Sequence, residues 1–301
     1  MVHRFLTRLN LLMKNISLVI LFNKKIEDST TLQTLLSSHY NGALVIFNNG
    51  PREISSSSPL FFQLEHQCSE VTLIQDIRNK PLSMIYNEFL LLNGYNNYFI
   101  FDDDTHIPDS FFENKCNDNF DLSVPLIVSN KTGKIFYPII NGVVSQVSAS
   151  YIVNSDEVIS IGSGLLIKDT LIRIFNEHKM QLFDDRFALY GVDYSLFRRV
   201  SRLKRSNILI KIDVSGELQH SLSSEDNDIS KFRVQERLID LILTKLFYSE
   251  RRGFFKYLSI GKTFLQNILA NKISNGMLIL LVLFYREHPR VRKFRKYTSD
   301  N

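Results

Sequence analysis

Over the first hundred residues, unbroken apolar runs alternate with segments whose apolar positions recur every three or four residues. Ile16–Phe22 (ISLVILF) is apolar almost throughout, as a strand buried on both faces should be. Ser29 and Thr30 then offer N-caps to a helix carrying Leu32, Leu35 and Leu36. Ala43–Phe47 (ALVIF) reads as a second strand, closed by the turn signal Asn48-Asn49-Gly50-Pro51, and Val71–Gln75 as a third. Pro81 opens a helix with Met84, Ile85, Phe89 and Leu90 on one face, which Gly94 ends. Tyr98–Phe101 is a fourth strand and runs straight into Asp102-Asp103-Asp104. This alternation predicts an α/β fold: a mostly parallel central sheet covered by helices. Ligands of such sheets collect beyond the carboxyl ends of the strands, where the loops Asn23–Lys25, Asn48–Pro51, Asp76–Lys80 and Asp102–His106 are all expected.

The middle of the chain is less regular. Leu122–Val128, Ile159–Ile161 and Ile208–Ile212 read as strands, Gly162-Ser163-Gly164 as a tight connection, and Leu165–Ile174 as a helix. Phe183–Asp193 is acidic and aromatic, and a helix follows through Arg198 and Arg199. From Ser230 onward the pattern is helical, with Leu238, Leu241, Ile242, Lys245 and Leu246 on helical spacing. The serine run Ser55–Ser58 is the one low-complexity patch.

With 44% hydrophobic residues in 301, the chain has ample material for a core, which excludes disorder, a coiled coil and a disulfide-stapled mini-protein. Its two cysteines, Cys68 and Cys116, provide neither a disulfide framework nor a zinc site, and free thiols in a reducing compartment are expected. The first fourteen residues are basic but interrupted by Arg4 and Arg8, so no secretory signal is expected, and Met13 is a second candidate start. The apolar run Met277–Tyr285 is about half of the roughly 20 residues that span a bilayer, so a soluble or peripheral protein is expected. A net charge of +5 and a pI near 9.0 favour anionic partners.

Three successive carboxylates repel one another unless a cation or solvent offsets them. At a strand's carboxyl edge, Asp102-Asp103-Asp104 are placed to hold a hard divalent ion, Mg2+ or Mn2+, bridging the phosphates of a nucleotide. The plainer alternative is an acidic turn capping a helix near Pro108. A phosphohydrolase motif of the Asp-x-Asp-x-Thr kind wants threonine where the chain has His106.

Four segments, SLVILFN (Ser17–Asn23), VIFNNGP (Val45–Pro51), RNKPLSMIYN (Arg78–Asn87) and FIFDDDT (Phe99–Thr105), resemble the family 2 glycosyltransferases of the GT-A fold. So does a second block, IGSGLL (Ile161–Leu166) followed by LFDDRFALYGVDYSLFRR (Leu182–Arg199). The resemblance implies an extension over residues 1–14, a GT-A domain over 15–225 and a helical region over 226–301, similar to the tails of bacterial surface-polysaccharide members. It implies a hexosyltransferase that inverts, moving a sugar from a UDP- or dTDP-sugar to a hydroxyl of an acceptor such as an undecaprenyl-diphosphate-linked saccharide. O-antigen, lipopolysaccharide or capsule assembly on the cytoplasmic face of the membrane is the implied setting.

Position by position, the resemblance assigns Asp102 and Asp104 to metal and donor, with Asp103 beside them, and a late histidine, His220, as a further metal ligand. Asn23, Asn48, Arg78 and Asn79 fall where the family contacts nucleoside and ribose; many members have Asp in place of Asn48. Asp193 matches the general base, although Val192 stands where the family has a first acidic residue. Gly164, Asp184 and Asp185 fall on the acceptor side, and one of Arg198 and Arg199 is placed to hold a pyrophosphate, the other being solvated.

The tail combines an apolar run, Gly276–Tyr285, with six Lys or Arg residues by Lys296, as suits a segment lying on an anionic membrane surface. Removing everything after Asn275 is then expected to leave a folded chain, whereas a core-packed tail predicts aggregation. Two other readings stay open: a basic nucleic-acid-binding protein, against which stands the lack of interleaved aromatics or a zinc-finger or RNP-like motif, and an inactive glycosyltransferase homologue.

Overall fold

The computed structural model describes residues 14–112, 119–146, 151–153, 157–222, 230–249 and 253–299. The start at Met13, the Arg4/Arg8 segment and Cys116 lie outside the described residues. The chain divides into two units: residues 1–79, 89–180 and 203–221 form the first, and 80–88, 181–202 and 222–301 the second.

In the first unit, β1 (Asn15–Leu21), β2 (Ala43–Asn48), β3 (Glu70–Gln75) and β4 (Asn97–Asp102) pair in parallel in the order β3-β2-β1-β4. Their apolar runs are long because β1, β2 and β4 are buried on both faces. Helix α1 (Thr30–Ser37) starts at Ser29, whose hydroxyl accepts from the Leu32 amide at 3.2 Å. Helix α2 (Pro59–Gln67) is a gain over the sequence reading: Ser58, the end of the serine patch, caps it by accepting from the Phe61 amide at 3.1 Å. Helix α3 (Leu82–Phe89), which belongs to the second unit except for its last residue, ends five residues before Gly94.

Beyond β4 the sheet continues with β5 (Leu122–Ser129), its partner β6 (Ile135–Tyr137), and later strands. A small separate sheet holds β7 (Ile139–Ile140), β8 (Val143–Val144) and β10 (Val158–Ile159), while β9 (Tyr151–Val153) edges the main one. The segment expected as a helix from Leu165 begins instead with β11 (Leu165–Lys168), inserted antiparallel between β4 and β5; helix α4 (Asp169–Glu177) follows. A four-residue buried run carries no periodicity by which strand and helix differ. The expected strand Ile208–Ile212 starts only at Ile212: β12 (Ile212–His220) runs parallel to β5, and Leu209 is exposed.

The second unit is helical: α5 (Val192–Arg205, its last three residues in the first unit), α6 (Lys231–Phe247), α7 (Phe254–Leu269), α8 (Ile273–Tyr285) and α9 (Pro289–Ser299). Helices α6, α7 and α8 pack on one another. Ile279 and Val282 of α8 and Val291 and Phe294 of α9 are buried. The tail is therefore part of a core, which corrects the expectation that it can be removed after Asn275. No helix among the described residues is long and apolar enough to cross a membrane.

Candidate active site

Because β1 to β4 are parallel, the loops after them share one edge of the first unit. The chain turns toward β2 and β3 on one side of β1 and toward β4 on the other, so a crevice is expected between the ends of β1 and β4. Lys24 and Asp103 meet across that point: Nζ to Oδ1 is 2.6 Å. The turn after β4 is pinned from several directions. The Asp103 carbonyl accepts from the Ser29 hydroxyl at 3.0 Å, the Asp102 amide donates to Ser163 Oγ at 3.1 Å, and the Thr105 amide donates to Thr31 Oγ1 at 2.9 Å.

His106 and Gln219 exchange backbone hydrogen bonds of 2.8 and 3.2 Å, which draws the end of β12 beside the acidic turn. His220 follows immediately. Its Nε2 lies 3.3 Å from Asp102 Oδ2 and 3.3 Å from Asp104 Oδ1. The imidazole is nearly buried at 9% side-chain exposure, whereas Asp102 and Asp104 are 40% and 35% exposed. Burial alone would lower the His220 pKa. The hydrogen bond to Asp102, the charges of Asp102 and Asp104 and the Ser221 carbonyl outweigh it and raise the ring to about 9. Burial raises the Asp103 carboxyl, opposed by Lys24, and raises Asp104, opposed by His220.

By donor type, these side chains suit a divalent cation. His220 Nδ1 lies 2.9 Å from the Ser221 carbonyl oxygen, which can only accept, so Nδ1 carries a proton and donates. The neutral ring then presents its Nε2 lone pair between two half-exposed carboxylates. Two carboxylates and one imidazole suit Mn2+ better than Mg2+. Among the described residues no three His, Cys, Asp or Glu side chains stand in an arrangement that could hold a metal ion. The histidinium instead occupies the place between the two carboxylates as an ion pair.

The nucleoside-side loops are tied to one another. Asn23, at φ +53°, donates its amide to the Gly50 carbonyl at 2.6 Å. Gly50, at φ +92°, sits so close to the Ile77 carbonyl that a Cβ would stand 2.5 Å from its oxygen, so only glycine fits. Asn48, expected at the nucleoside, is buried, and its amide builds the loop: Nδ2 donates to the Arg52 carbonyl at 2.7 Å and Gln75 Oε1 at 3.0 Å, and Oδ1 accepts from the Gly50 amide at 3.1 Å. Asn23 and Arg78 are exposed on the same edge, Arg78 in a bidentate pair with Asp76 at 2.7 and 2.6 Å. Asn79 is half-buried at φ +56°. Gly164 is buried at φ +83°, its amide donating to the Ile100 carbonyl at 2.7 Å, and a Cβ there would collide with Leu218 and Pro125, so close packing requires a glycine.

In the second unit, Asp193 sits half-buried in the first turn of α5, and Val192 before it is wholly buried. An apolar core position thus replaces the first acidic residue of the expected pair. The carboxylate that reaches this turn is Asp240 of α6: a Cβ on Gly191 would stand 1.9 Å from its Oδ1. Burial raises the Asp240 carboxyl, opposed by Arg198 and Thr244.

Asp184, expected on the acceptor side, is 0% exposed. It binds Arg186 at 2.5 Å, Arg199 at 3.4 Å and the Tyr248 hydroxyl at 2.6 Å. Burial would raise its pKa, but the Arg186 hydrogen bonds, the Arg199 charge and the Tyr248 hydroxyl hold it below the usual carboxylate range. Arg199 is spent on that cluster and is buried, not solvated, and half-buried Arg198 donates to Thr244 Oγ1 at 2.8 Å. Asp185 pairs with Arg295 at 2.6 Å. Lys24 and Asp240 were not anticipated as site residues; only Lys24, directly after an apolar strand on the ligand edge, left a readable signal.

No protein-family model matches the chain, and no curated protein does. Solved structures do. S. aureus TarS superposes with a TM-score of 0.50 at 11% identity, over 87% of this chain and 43% of that one. GalNAc-T7, solved with UDP, GalNAc and Mn2+, superposes with a TM-score of 0.53 at 10% identity, over 80% of this chain and 49% of that one. The chain thus spans less than half the length of either. At such identity the likeness speaks for architecture: a mostly parallel sheet flanked by helices, with an acidic turn ending the strand beside its centre, is a GT-A-like fold.

Proposed function

We propose that the protein is a metal-dependent glycosyltransferase that moves a sugar from a nucleotide-diphosphate donor to a hydroxyl of a saccharide acceptor, with inversion. The observation that carries this reading is the convergence of Asp102, Asp104 and His220 at the carboxyl edge of a parallel sheet, on a fold shared with a protein solved with UDP, GalNAc and Mn2+. Asp102, Asp104 and His220 would hold the cation, and Lys24 with Asp103 keeps the turn in place between β1 and β4. A bound divalent cation supplies neutralisation of the diphosphate leaving group. Asn23, Arg78 and Asn79 offer polar groups for base and ribose.

Asp193 is the proposed general base, taking the proton of the acceptor hydroxyl as its oxygen attacks the anomeric carbon. One carboxylate suffices for that step. Asp240 is positioned to influence the turn that carries Asp193. The acceptor proposed is a lipid-linked saccharide of bacterial surface-polysaccharide assembly, met at the inner face of the membrane.

The test is calorimetry and donor hydrolysis across a panel of UDP- and dTDP-sugars, with Mn2+, with Mg2+ and with EDTA. Metal-dependent binding and turnover of one donor is the expected result. Equal binding with and without metal, or no binding beside salt-dependent binding to oligonucleotides, would overturn the reading.

A further inference from the structure

The second unit carries an apolar surface that its core does not use. On α7, Phe254, Leu258, Leu265 and Leu269 recur at helical spacing and are exposed, Phe254 at 70% and Leu269 at 86%. On α8, Ile273, Met277, Leu280 and Phe284 do the same, Phe284 at 79%. The opposite faces, with Ile260 and Thr263 on α7 and Ile279 and Val282 on α8, are buried. Each helix is thus apolar on both sides, and only one side is spent on the fold.

The two stripes start side by side. Three residues, Ala270 to Lys272, join the helices, so they form an αα-hairpin with Leu269 and Ile273 at its tip. Gly276 lets them close: a Cβ there would stand 2.6 Å from Ile268 Cδ1.

The surrounding charge has one sign. Residues 253–299 contain nine Lys or Arg and a single acidic residue, Glu287. Helix α8 has no charged residue at all, and Lys262 and Lys272 are exposed beside the stripes. Pairing this face with a second copy would bring two strongly cationic segments together. An anionic surface of low polarity complements both the charge and the apolar stripe. The thirteen residues of α8 cover only ~20 Å, short of the ~30 Å of a bilayer's hydrocarbon, so the hairpin lies in the interface and does not cross.

We infer that the α7–α8 hairpin is a membrane-docking surface, entering the headgroup region of an anionic bilayer through Leu269, Ile273 and Phe284 with Lys262 and Lys272 at its rim. This docking takes its purpose from the proposed transferase reading but uses none of the donor-site residues, so the two fail separately. It also moves the membrane contact away from the basic tail itself. Arg290 pairs with Glu236 at 2.8 Å, Arg295 with Glu287 at 2.5 Å, and Arg292 lies 3.4 Å over the Tyr285 ring.

The chain contains no tryptophan, so one introduced tryptophan reports alone. Full-length Phe284→Trp should show a blue-shifted emission on adding phosphatidylglycerol-rich vesicles, weaker at high salt and much weaker with phosphatidylcholine alone. Phe62→Trp, exposed on α2, should show none. The triple variant Leu269→Ser/Ile273→Ser/Phe284→Ser should keep its melting temperature and lose at least about tenfold in vesicle partition, since burying one such side chain fully is worth about ten- to a hundredfold. No shift in Phe284→Trp, an equal shift in Phe62→Trp, or equal attachment to both lipids overturns the inference. So does a blue shift without lipid in a chain that sediments as a dimer, which would make a second copy the occupant. If the triple variant does not fold, the tryptophan pair still decides. Donor binding lost in Asp104→Asn with vesicle attachment intact separates this surface from the donor site.

Discussion

The acidic clusters of the two units have opposite characters. At the sheet edge, Asp102, Asp103 and Asp104 face one permanent cation, Lys24, and a histidine that is charged only when protonated. Two of the three carboxylates are over a third exposed. In the second unit, Asp184 is fully enclosed with Arg186, Arg199 and the Tyr248 hydroxyl, and Glu236 likewise with His288 and Arg290. One cluster has more negative charge than its partners offset and is open to solvent; in the others the cations match or exceed the carboxylate, and the cluster is closed. A charge deficit that solvent can reach is what a cation or a diphosphate complex would fill, whereas a closed pair acts as a bolt between helices.

The sharpest way to break this contrast is to neutralise one member of the open cluster. Asp104→Asn keeps the shape and removes the charge, so transfer should fall to background, with the melting temperature close to that of the parent chain. EDTA should do the same to the parent, and Mn2+ should restore it. Full turnover in either case would place the open cluster among the structural ones.

Asp193→Asn should cost roughly 10²–10⁴ in turnover, the usual contribution of a positioned acid or base. Donor affinity, measured by calorimetry, should stay within a few-fold of the parent. A lowered melting temperature with near-normal turnover would move Asp193 to the structural group.

Asp184→Ala should show the reverse pattern. It leaves Arg199 buried beside an empty place, and breaking such a pair costs about 3–5 kcal/mol. Denaturant unfolding should register that loss, while the fraction still folded binds donor normally. Donor binding lost ahead of stability would show that this cluster serves the site after all.

The smallest effect is the acid limb of stability. Asp184 and Glu236 both have folded pKa values held below their ordinary 3.8 and 4.5. Their stabilisation is complete above those ordinary values and is lost as pH falls through the lower, folded ones. Unfolding midpoints recorded from neutral pH downward should therefore drop below about pH 4, and Glu236→Gln should flatten part of that drop. A limb unchanged in Glu236→Gln would mean that Glu236 contributes little in the folded state.

The tail sharpens the comparison from another side. Read along the chain, Gly276–Tyr285 followed by basic residues looks like one amphipathic segment. In the fold the same helix faces two ways, Ile279 and Val282 into the core and Phe284 outward. Deletion would therefore remove part of the core together with the exposed stripe, and point substitutions on the outer face are the cleaner experiment.

What the sequence determined by itself is local. The apolar runs of β1, β2 and β4 announce buried parallel strands because doubly covered strands tolerate few polar residues. Parallel order then puts Asp102–Asp104, Asn23 and Arg78 on one edge without further information. The helical spacing after Ser230 is likewise readable, because an amphipathic face repeats every few residues.

Tertiary structure decided the rest, because it depends on pairings far apart in the chain. His220 meets Asp102 across 118 residues through the bridge between His106 and Gln219. The strand β11 takes its identity from its antiparallel place between β4 and β5, which a four-residue apolar run cannot announce. Asp184 and Asp185 are neighbours with the same charge; one is enclosed by two arginines and a tyrosine, the other pairs at the surface. A carboxylate's role follows from its surroundings, and those surroundings are assembled from segments that only folding brings together.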